Sequence, residues 1–352
     1  MGVHEYGNEE IQAEVDKLKD DGVTVYSISR INSFKTCQYG YYNTYVKRNR
    51  GLDSVYSGAG TFCHEYLEKV YRGEIEDTSD FKRKLNTALF KLEMNGLTFP
   101  NESIEKSWRK DMEHFCDNFK KLDGEFELEK AYLAKFDDYY MYGYIDVIRE
   151  TEDGNIEIHD FKTSSKFGSK DKLKHAGRQL IVYKLALEQK DMKIDKVMWN
   201  MLKYCYICWK QKNGKIKQKM VNRGKIIKEM RKNFEKTMLA SGMDEITVVM
   251  TLDEAEKKND FDMLPQVIKD TYAIEDCLLE YNVTEDIIDE TTNYVVNTIK
   301  EIESMDFNNE DEWTPLDIDK DNFFCNTLCG FRDSCKFLKQ WKKDNPFKKI
   351  GF

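Results

Sequence analysis

Proline is scarce, with four in 352 residues. That is too little for a rigid linker, so no stiff hinge is expected between parts of the chain. No run of about 18 apolar residues occurs, which excludes a membrane-spanning helix. No Gly-x-x-x-x-Gly-Lys-Ser/Thr stretch occurs, which excludes a nucleotide-driven motor of the P-loop kind. Internal repeats and low-complexity tracts are also missing, so collagen-like and wholly disordered classes fall away. Met1 to Asp20 is polar and acidic. No secretory leader is therefore expected, and the expected location is the cytoplasm. Much Lys, Asn and Tyr with little Pro points to an AT-rich genome, such as a bacterium or its phage.

Apolar residues make up 40% and charged residues 34% of the chain, enough for a sizeable core without covalent staples. Nine cysteines, an odd number in a chain expected in the cytosol, do not read as a disulfide framework. Metal ligation is the better question for them. The net charge is −9, but it is sorted along the chain. Residues 162–236 carry 22 Lys/Arg against 6 Asp/Glu, and residues 242–322 carry 24 Asp/Glu against 5 Lys/Arg. The basic stretch interleaves the aromatics Trp199, Tyr204, Tyr206 and Trp209, the pattern of a phosphate-tracking, base-stacking surface. Its candidate contacts are Lys166, Lys170, Arg178, Trp199 and Lys203. The other reading is that lysines coat solvated faces. The acidic stretch reads as a solvated helical subdomain.

Amphipathic helices are expected near residues 27–37, from Thr61 through Tyr71 after a Gly58-Ala-Gly60 loop, over 80–97 and over 103–122. Ser29 is a possible cap of the first. Strands follow at 126–134, 139–149 and 156–162, the last two joined by the turn Glu152-Asp-Gly-Asn155. A helix over 173–189, a strand over 196–210, a turn at 211–215, a strand to Val221 and a helix over 225–239 come next, and helices thereafter. This order fits a mixed α/β core with helical additions at both ends. The expected parts are an N-terminal extension (1–26), a helical part (27–125), a core (126–241), an acidic helical insertion (242–321) and a cysteine-bearing tail (322–352).

The chemistry concentrates in Gly143-Tyr-Ile-Asp146 and, after the hairpin, Ile158-His-Asp160-Phe-Lys162-Thr. Alternation puts Asp160 and Lys162 on one side of their strand. Two carboxylates on neighbouring strands can share a hard divalent cation, and a lysine beside it can hold or activate water. A plain charged strand pair is the alternative. Gln179 and Tyr183 share a helix face, as do His64 and Glu68. The tail holds Cys325, Cys329 and Cys335, and Cys37 could complete a four-thiolate site for zinc or an iron–sulfur cluster. Cys63, Cys116, Cys205, Cys208 and Cys277 read as packing residues.

Taken in order, these residues resemble the PD-(D/E)XK nuclease superfamily. The series is Ser-x-Ser-Arg-x-x-x-Phe-x-x-Cys37, Gly60-x-x-x-His64-Glu-x-x-Glu68, Gly143-Tyr-Ile-Asp146, Asp160-Phe-Lys162-Thr, Gln179-x-x-x-Tyr183 and the three tail cysteines. More narrowly they resemble RecB-like exonucleases with an iron–sulfur cluster, including the AddB nuclease domain and the single-strand exonucleases of CRISPR adaptation. The first tail gap is Cys-x3-Cys where many relatives have Cys-x2-Cys, a difference that a loop absorbs. The resemblance implies a restriction-endonuclease-like α/β core and a metal-dependent DNA exonuclease acting on single strands or ends, in recombination, repair or replication. His64, Asp146, Asp160 and the Phe161 backbone carbonyl would bind Mg²⁺ or Mn²⁺. Lys162 would position or deprotonate the attacking water, with Gln179 and Tyr183 ordering it. Glu68 and Glu129 would be auxiliary. Cys37, Cys325, Cys329 and Cys335 would hold a [4Fe–4S] cluster stapling the two ends of the chain. DNA is the expected partner, with a single-strand-binding, recombinase or helicase protein as a further one. The alternatives are a non-catalytic DNA-binding or scaffold subunit, a nuclease subunit of a larger complex, or an iron–sulfur redox sensor.

Overall fold

The computed structural model describes residues 8–211 and 213–346. Position 212 of the expected turn, the first seven residues of the N-terminal extension and the last six of the tail lie outside them. The chain opens with helix α1 (Asn8–Asp20), a short strand β1 (Val25–Tyr26), α2 (Ile28–Thr36) and α3 (Gln38–Tyr41). Three longer helices follow: α4 (Val55–Tyr71), α5 (Phe81–Met94) and α6 (Glu102–Asp117). Then come β2 (Glu125–Phe136), β3 (Tyr139–Glu150), β4 (Ile156–Lys162), α7 (Lys170–Glu188), β5 (Lys196–Lys210) and β6 (Ile216–Asn222). The last part holds α8 (Ile226–Ala240), α9 (Glu245–Lys258), α10 (Gln266–Thr271), β7 (Tyr272–Glu280), α11 (Glu285–Ser304) and α12 (Lys336–Asp344).

The strands form one mixed seven-stranded sheet. β3 pairs antiparallel with β2 along its length, and with β4 and then parallel β1 on its other edge. β4 and β5 are parallel, joined by the α7 crossover. β6 and β7 both run antiparallel to β5, on opposite edges. One face of the sheet packs against α2, α7 and α11, with Ile31, Leu180, Val182, Val295 and Ile299 buried there. The other packs against α4, α5 and α6 through Leu67, Leu85, Met112, Val147 and Phe161. The far end of β5 is covered by α8, α9 and α10. No helix among the described residues is long and apolar enough to cross a membrane.

Local chemistry sets several boundaries differently from the sequence expectation. Ser27, not Ser29, caps α2, its side chain accepting from the Arg30 amide. Helix α4 starts before the two glycines, because Ser54 and Ser57 form a reciprocal capping box. Gly58 is helical because Leu92 of α5 lies against it; a Cβ there would come within 2.5 Å of Leu92 Cδ2. The expectation of helices alone over 242–321 misses β7. Its apolar residues do not alternate cleanly, since a register shift opposite Asn200 to Cys205 of β5 breaks the period. Nor does the acidic stretch stand apart. Asp276 pairs with Arg223 and Glu290 with Arg178 and Lys174 of the basic stretch, and Glu301 pairs with Lys35 of α2.

Candidate active site

The β3–β4 ladder ends at Val147 and His159. The next residue on each strand is a catalytic candidate, Asp146 on β3 and Asp160 on β4. Here the strands part, and Phe161 and Lys162 at the end of β4 line a pocket of about 560 Å³. Helix α4 forms its other wall with Tyr56, Gly60, Thr61, His64 and Glu68. Glu129 of β2 and Thr163 after β4 complete the lining.

Asp160 is buried, and Lys162 Nζ lies 2.6 Å from its Oδ2. The contact is a close ion pair. Lys162 Nζ also donates to Gln179 Oε1 at 3.4 Å, and Gln179 Nε2 donates to Tyr183 Oη at 2.7 Å. Both helix residues fall on the α7 face that meets β4, as their four-residue spacing requires. Burial pushes the Tyr183 phenol well above its ordinary pKa, so it stays a neutral hydrogen-bonding group. Tyr132 of β2 packs edge-on to the Tyr183 ring and covers Gly143, where a Cβ would meet its ring at 3.0 Å. The glycine three residues before Asp146 is therefore a packing requirement.

His64 Nε2 donates to the Phe161 carbonyl at 2.8 Å. A carbonyl only accepts, so Nε2 carries the proton and the bare Nδ1 faces Asp146 Oδ2 at 3.4 Å. Burial holds the ring's pKa below the ordinary value, against the pull of Asp160. Burial, then the Asp160 carboxylate, pushes Asp146 up to about 8. A lone pair and two carboxylates facing one another in a buried pocket call for a proton or a hard cation between them. Among the described residues, however, no three His, Cys, Asp or Glu side chains stand in a ready-made metal-ligand geometry. The Phe161 carbonyl, expected as a ligand, is engaged by His64 here. Glu68 is paired with Arg72 at the pocket wall.

The structure corrects part of the expected nucleic-acid contact set. Trp199 is 0% exposed, wedged between Phe167 and Tyr281, because β5 is covered on both faces. It cannot stack on a base from there. Lys203, 9% exposed, faces the buried Asp111 of α6. Arg178 pairs with Glu290 and lies over the Tyr294 ring, 3.8 Å from its centre. Tyr204 is buried too, its hydroxyl accepting from the Lys166 amide. Lys166 and Lys170 are exposed beside the loop that leaves β4.

All nine cysteines are free. Cys37 ends α2 and caps α3, its Sγ accepting from the amides of Gly40 and Leu316 at 3.3 and 3.4 Å. Cys329 Sγ accepts from the Phe331 amide at 3.4 Å. Cys325 is pushed up to about 12 by burial and by the nearby thiols of Cys329, Cys37 and Cys335. Cys37, Cys325, Cys329 and Cys335 come from opposite ends of the chain, and among the described residues they do not stand in a ready-made metal-ligand group. Cys63, Cys116, Cys205, Cys208 and Cys277 are buried packing residues, as expected.

A family model of the PD-(D/E)XK nuclease superfamily matches residues 25–336. The chain belongs to that superfamily. Its members are generally nucleases that use Mg²⁺ or similar divalent metals, so nucleic acid is the substrate class and metal-dependent hydrolysis the reaction class. The mixed sheet flanked by helices is the architecture this superfamily calls for. A search of curated proteins returns no match.

Proposed function

We propose that this chain is a RecB-like, metal-dependent DNA exonuclease that hydrolyses phosphodiester bonds in single strands or at DNA ends, in recombination, repair or replication. The observation that carries the reading is the convergence of Asp146, Asp160, Lys162 and His64 where β3 and β4 part, with Lys162 tied through Gln179 to Tyr183. His64, Asp146 and Asp160 would hold Mg²⁺ or Mn²⁺, and the facing Nδ1 lone pair and carboxylates suit a hard cation. When bound, the metal would lower the pKa of water and offset phosphate charge. The chain's own groups supply the rest. Lys162 as an ammonium positions the attacking water and its charge stabilises the oxygens of the phosphorus under attack, or, as the free amine, it takes the water's proton and becomes that ammonium. Asp160 and Gln179 fix where that ammonium stands. The water oxygen bonds to phosphorus as the bond to the leaving sugar oxygen breaks.

Cys37, Cys325, Cys329 and Cys335 would hold a [4Fe–4S] cluster. The backbone N–H donors to Cys37 and Cys329 support this reading. A cluster here would staple residues near 37 to the tail and need do no redox work. The candidate protein partner is a single-strand-binding, recombinase or helicase protein.

The test is cleavage of end-labelled single- and double-stranded DNA with Mn²⁺, Mg²⁺ or EDTA. Metal-dependent release of short products is expected, and the label position gives polarity. Binding without cleavage under every metal would sink the enzymatic reading.

A further inference from the structure

Glu129 has a left-handed backbone, φ 50°, inside strand β2; the other left-handed non-glycine residues described lie in connections or at a helix end. A side chain held this way is strained, so the fold must over-determine it. The strand changes phase at this residue. Phe126 and Leu128 pack with α4 and α6, whereas Tyr132 and Ala134, of the same parity, pack on the opposite face with α7. Glu129 stands at the register position opposite Asp146, where the β2–β3 ladder skips one pair. Its side chain lines the catalytic pocket together with His64 and Glu68.

What holds this break is a side chain from outside the sheet. Asn8, the first residue of α1, donates from Nδ2 to the Glu129 carbonyl at 2.8 Å and accepts from the Ala131 amide on Oδ1 at 2.8 Å. The carboxamide thus supplies, on the free edge of β2, the donor and acceptor that a neighbouring strand would offer. Helix α1 is seated for the task, with Ile11 and Val15 packed on Ala131 and Leu133, and Gln12 accepting from the Tyr142 hydroxyl. A residue that only capped the edge could sit anywhere along it. Asn8 bonds the carbonyl of the residue whose left-handed backbone turns a carboxylate toward the pocket, and the amide two residues on.

We infer that Asn8 is a positioning residue for the catalytic pocket: it clamps the left-handed backbone of Glu129 so that the Glu129 carboxylate faces the Asp146/Asp160 site. Helix α1 is then part of the active-site framework. This rests on the nuclease reading above for what the pocket does. The carboxylate would act on the outer hydration of the bound cation, and partners of that kind typically change metal affinity by about 10–100-fold.

The test is a double-mutant cycle on the full chain: parent, Asn8→Ala, Glu129→Gln and the double variant. Mn²⁺ affinity is read by calorimetry, amide exchange at Ala131 by mass spectrometry, and DNA turnover beside them. Faster exchange at Ala131 is expected in both Asn8→Ala chains. Mn²⁺ binding should weaken about tenfold on Asn8→Ala when Glu129 is present, and less than twofold in the Glu129→Gln background. Equal losses in both backgrounds, or none, would overturn the inference and show a plain edge cap. A parent that takes up no Mn²⁺ overturns it as well. A parent that binds Mn²⁺ but cleaves no DNA removes the nuclease reading alone, and the affinity cycle still decides the role of Asn8.

Discussion

In the catalytic pocket, position is set by hydrogen-bonded strands. Asp146 and Asp160 stand just past the end of a ladder, and Lys162 is tied to Asp160, Gln179 and through it Tyr183. In the cysteine cluster, position is set by two distant segments lying together. Trp313 is buried against Phe34, Tyr41 and Tyr42, the Tyr39 amide donates to the Thr314 carbonyl, and Leu52 donates to Gly330. The close backbone approach there needs both glycines, since a Cβ on Gly51 would lie 3.2 Å from Gly330 Cα. The pocket therefore owes its geometry to the sheet, and the cluster owes its geometry to the joining of the chain's two ends. Chemistry and stability should be separable by mutation.

The sharpest way to break that separation is Lys162→Ala. Removing one preorganised charge that meets the transition state costs about 10²–10³ in kcat. Asp160, buried beside it, loses its cation, so the thermal midpoint should fall by about a few degrees, far less in proportion than turnover. A variant that cleaves as fast as the parent would remove Lys162 from the mechanism. Cys325→Ser is the converse. It should leave turnover per folded molecule near the parent's while lowering the thermal midpoint. Loss of about 3 kcal/mol in a chain of 352 residues lowers the midpoint by roughly 4 °C. An anaerobic parent should be brown and the variant colourless; a colourless parent holding stoichiometric zinc would end the iron–sulfur reading and leave the pocket untouched.

Between these lies Tyr183→Phe. The ring packing on Tyr132 survives, and only the acceptor for Gln179 Nε2 is lost. A single hydrogen bond is worth about 1 kcal/mol net, or roughly fivefold in rate. The loss should fall on kcat, with KM unchanged, because Tyr183 reaches the reaction only through Gln179 and Lys162. A change in KM alone would place Tyr183 on the substrate instead.

Much of this was legible in the residues themselves. The Asp-Phe-Lys strand, the Gln-x-x-x-Tyr helix face and the hairpin between Asp146 and Asp160 all rest on short-range periodicity, which sequence carries well. The errors came where tertiary context decides. Interleaved aromatics and lysines on β5 look like a nucleic-acid surface only if one face of the strand meets water, and β5 is covered on both faces. The acidic stretch looks like a separate subdomain until Glu290 and Asp276 are seen to neutralise Arg178 and Arg223. The strain at Glu129 left no sequence signal, since glutamate is an ordinary strand-flanking residue. Its cause, Asn8, lies more than a hundred positions upstream.

The same contrast between exposed and covered lysines gives the finest prediction. Lys166 and Lys170 stand free beside the pocket's exit loop, whereas Lys203 is enclosed with Asp111. If the basic stretch binds a strand, Lys166→Ala and Lys170→Ala should each weaken DNA binding uniformly across sequences. Each should reduce the slope of log affinity against log salt by about 0.7 for single strands. Lys203→Ala should leave that slope alone and instead lower stability, by about 1–2 kcal/mol, as a buried charge loses its neighbour. Asp111 would keep the Gly224 amide at 2.8 Å and the Asn222 amide at 3.2 Å, which limits the damage. Should Lys203→Ala flatten the salt slope while Lys166→Ala does not, the strand runs over the opposite end of β5, and the covered half of the basic stretch opens when DNA binds.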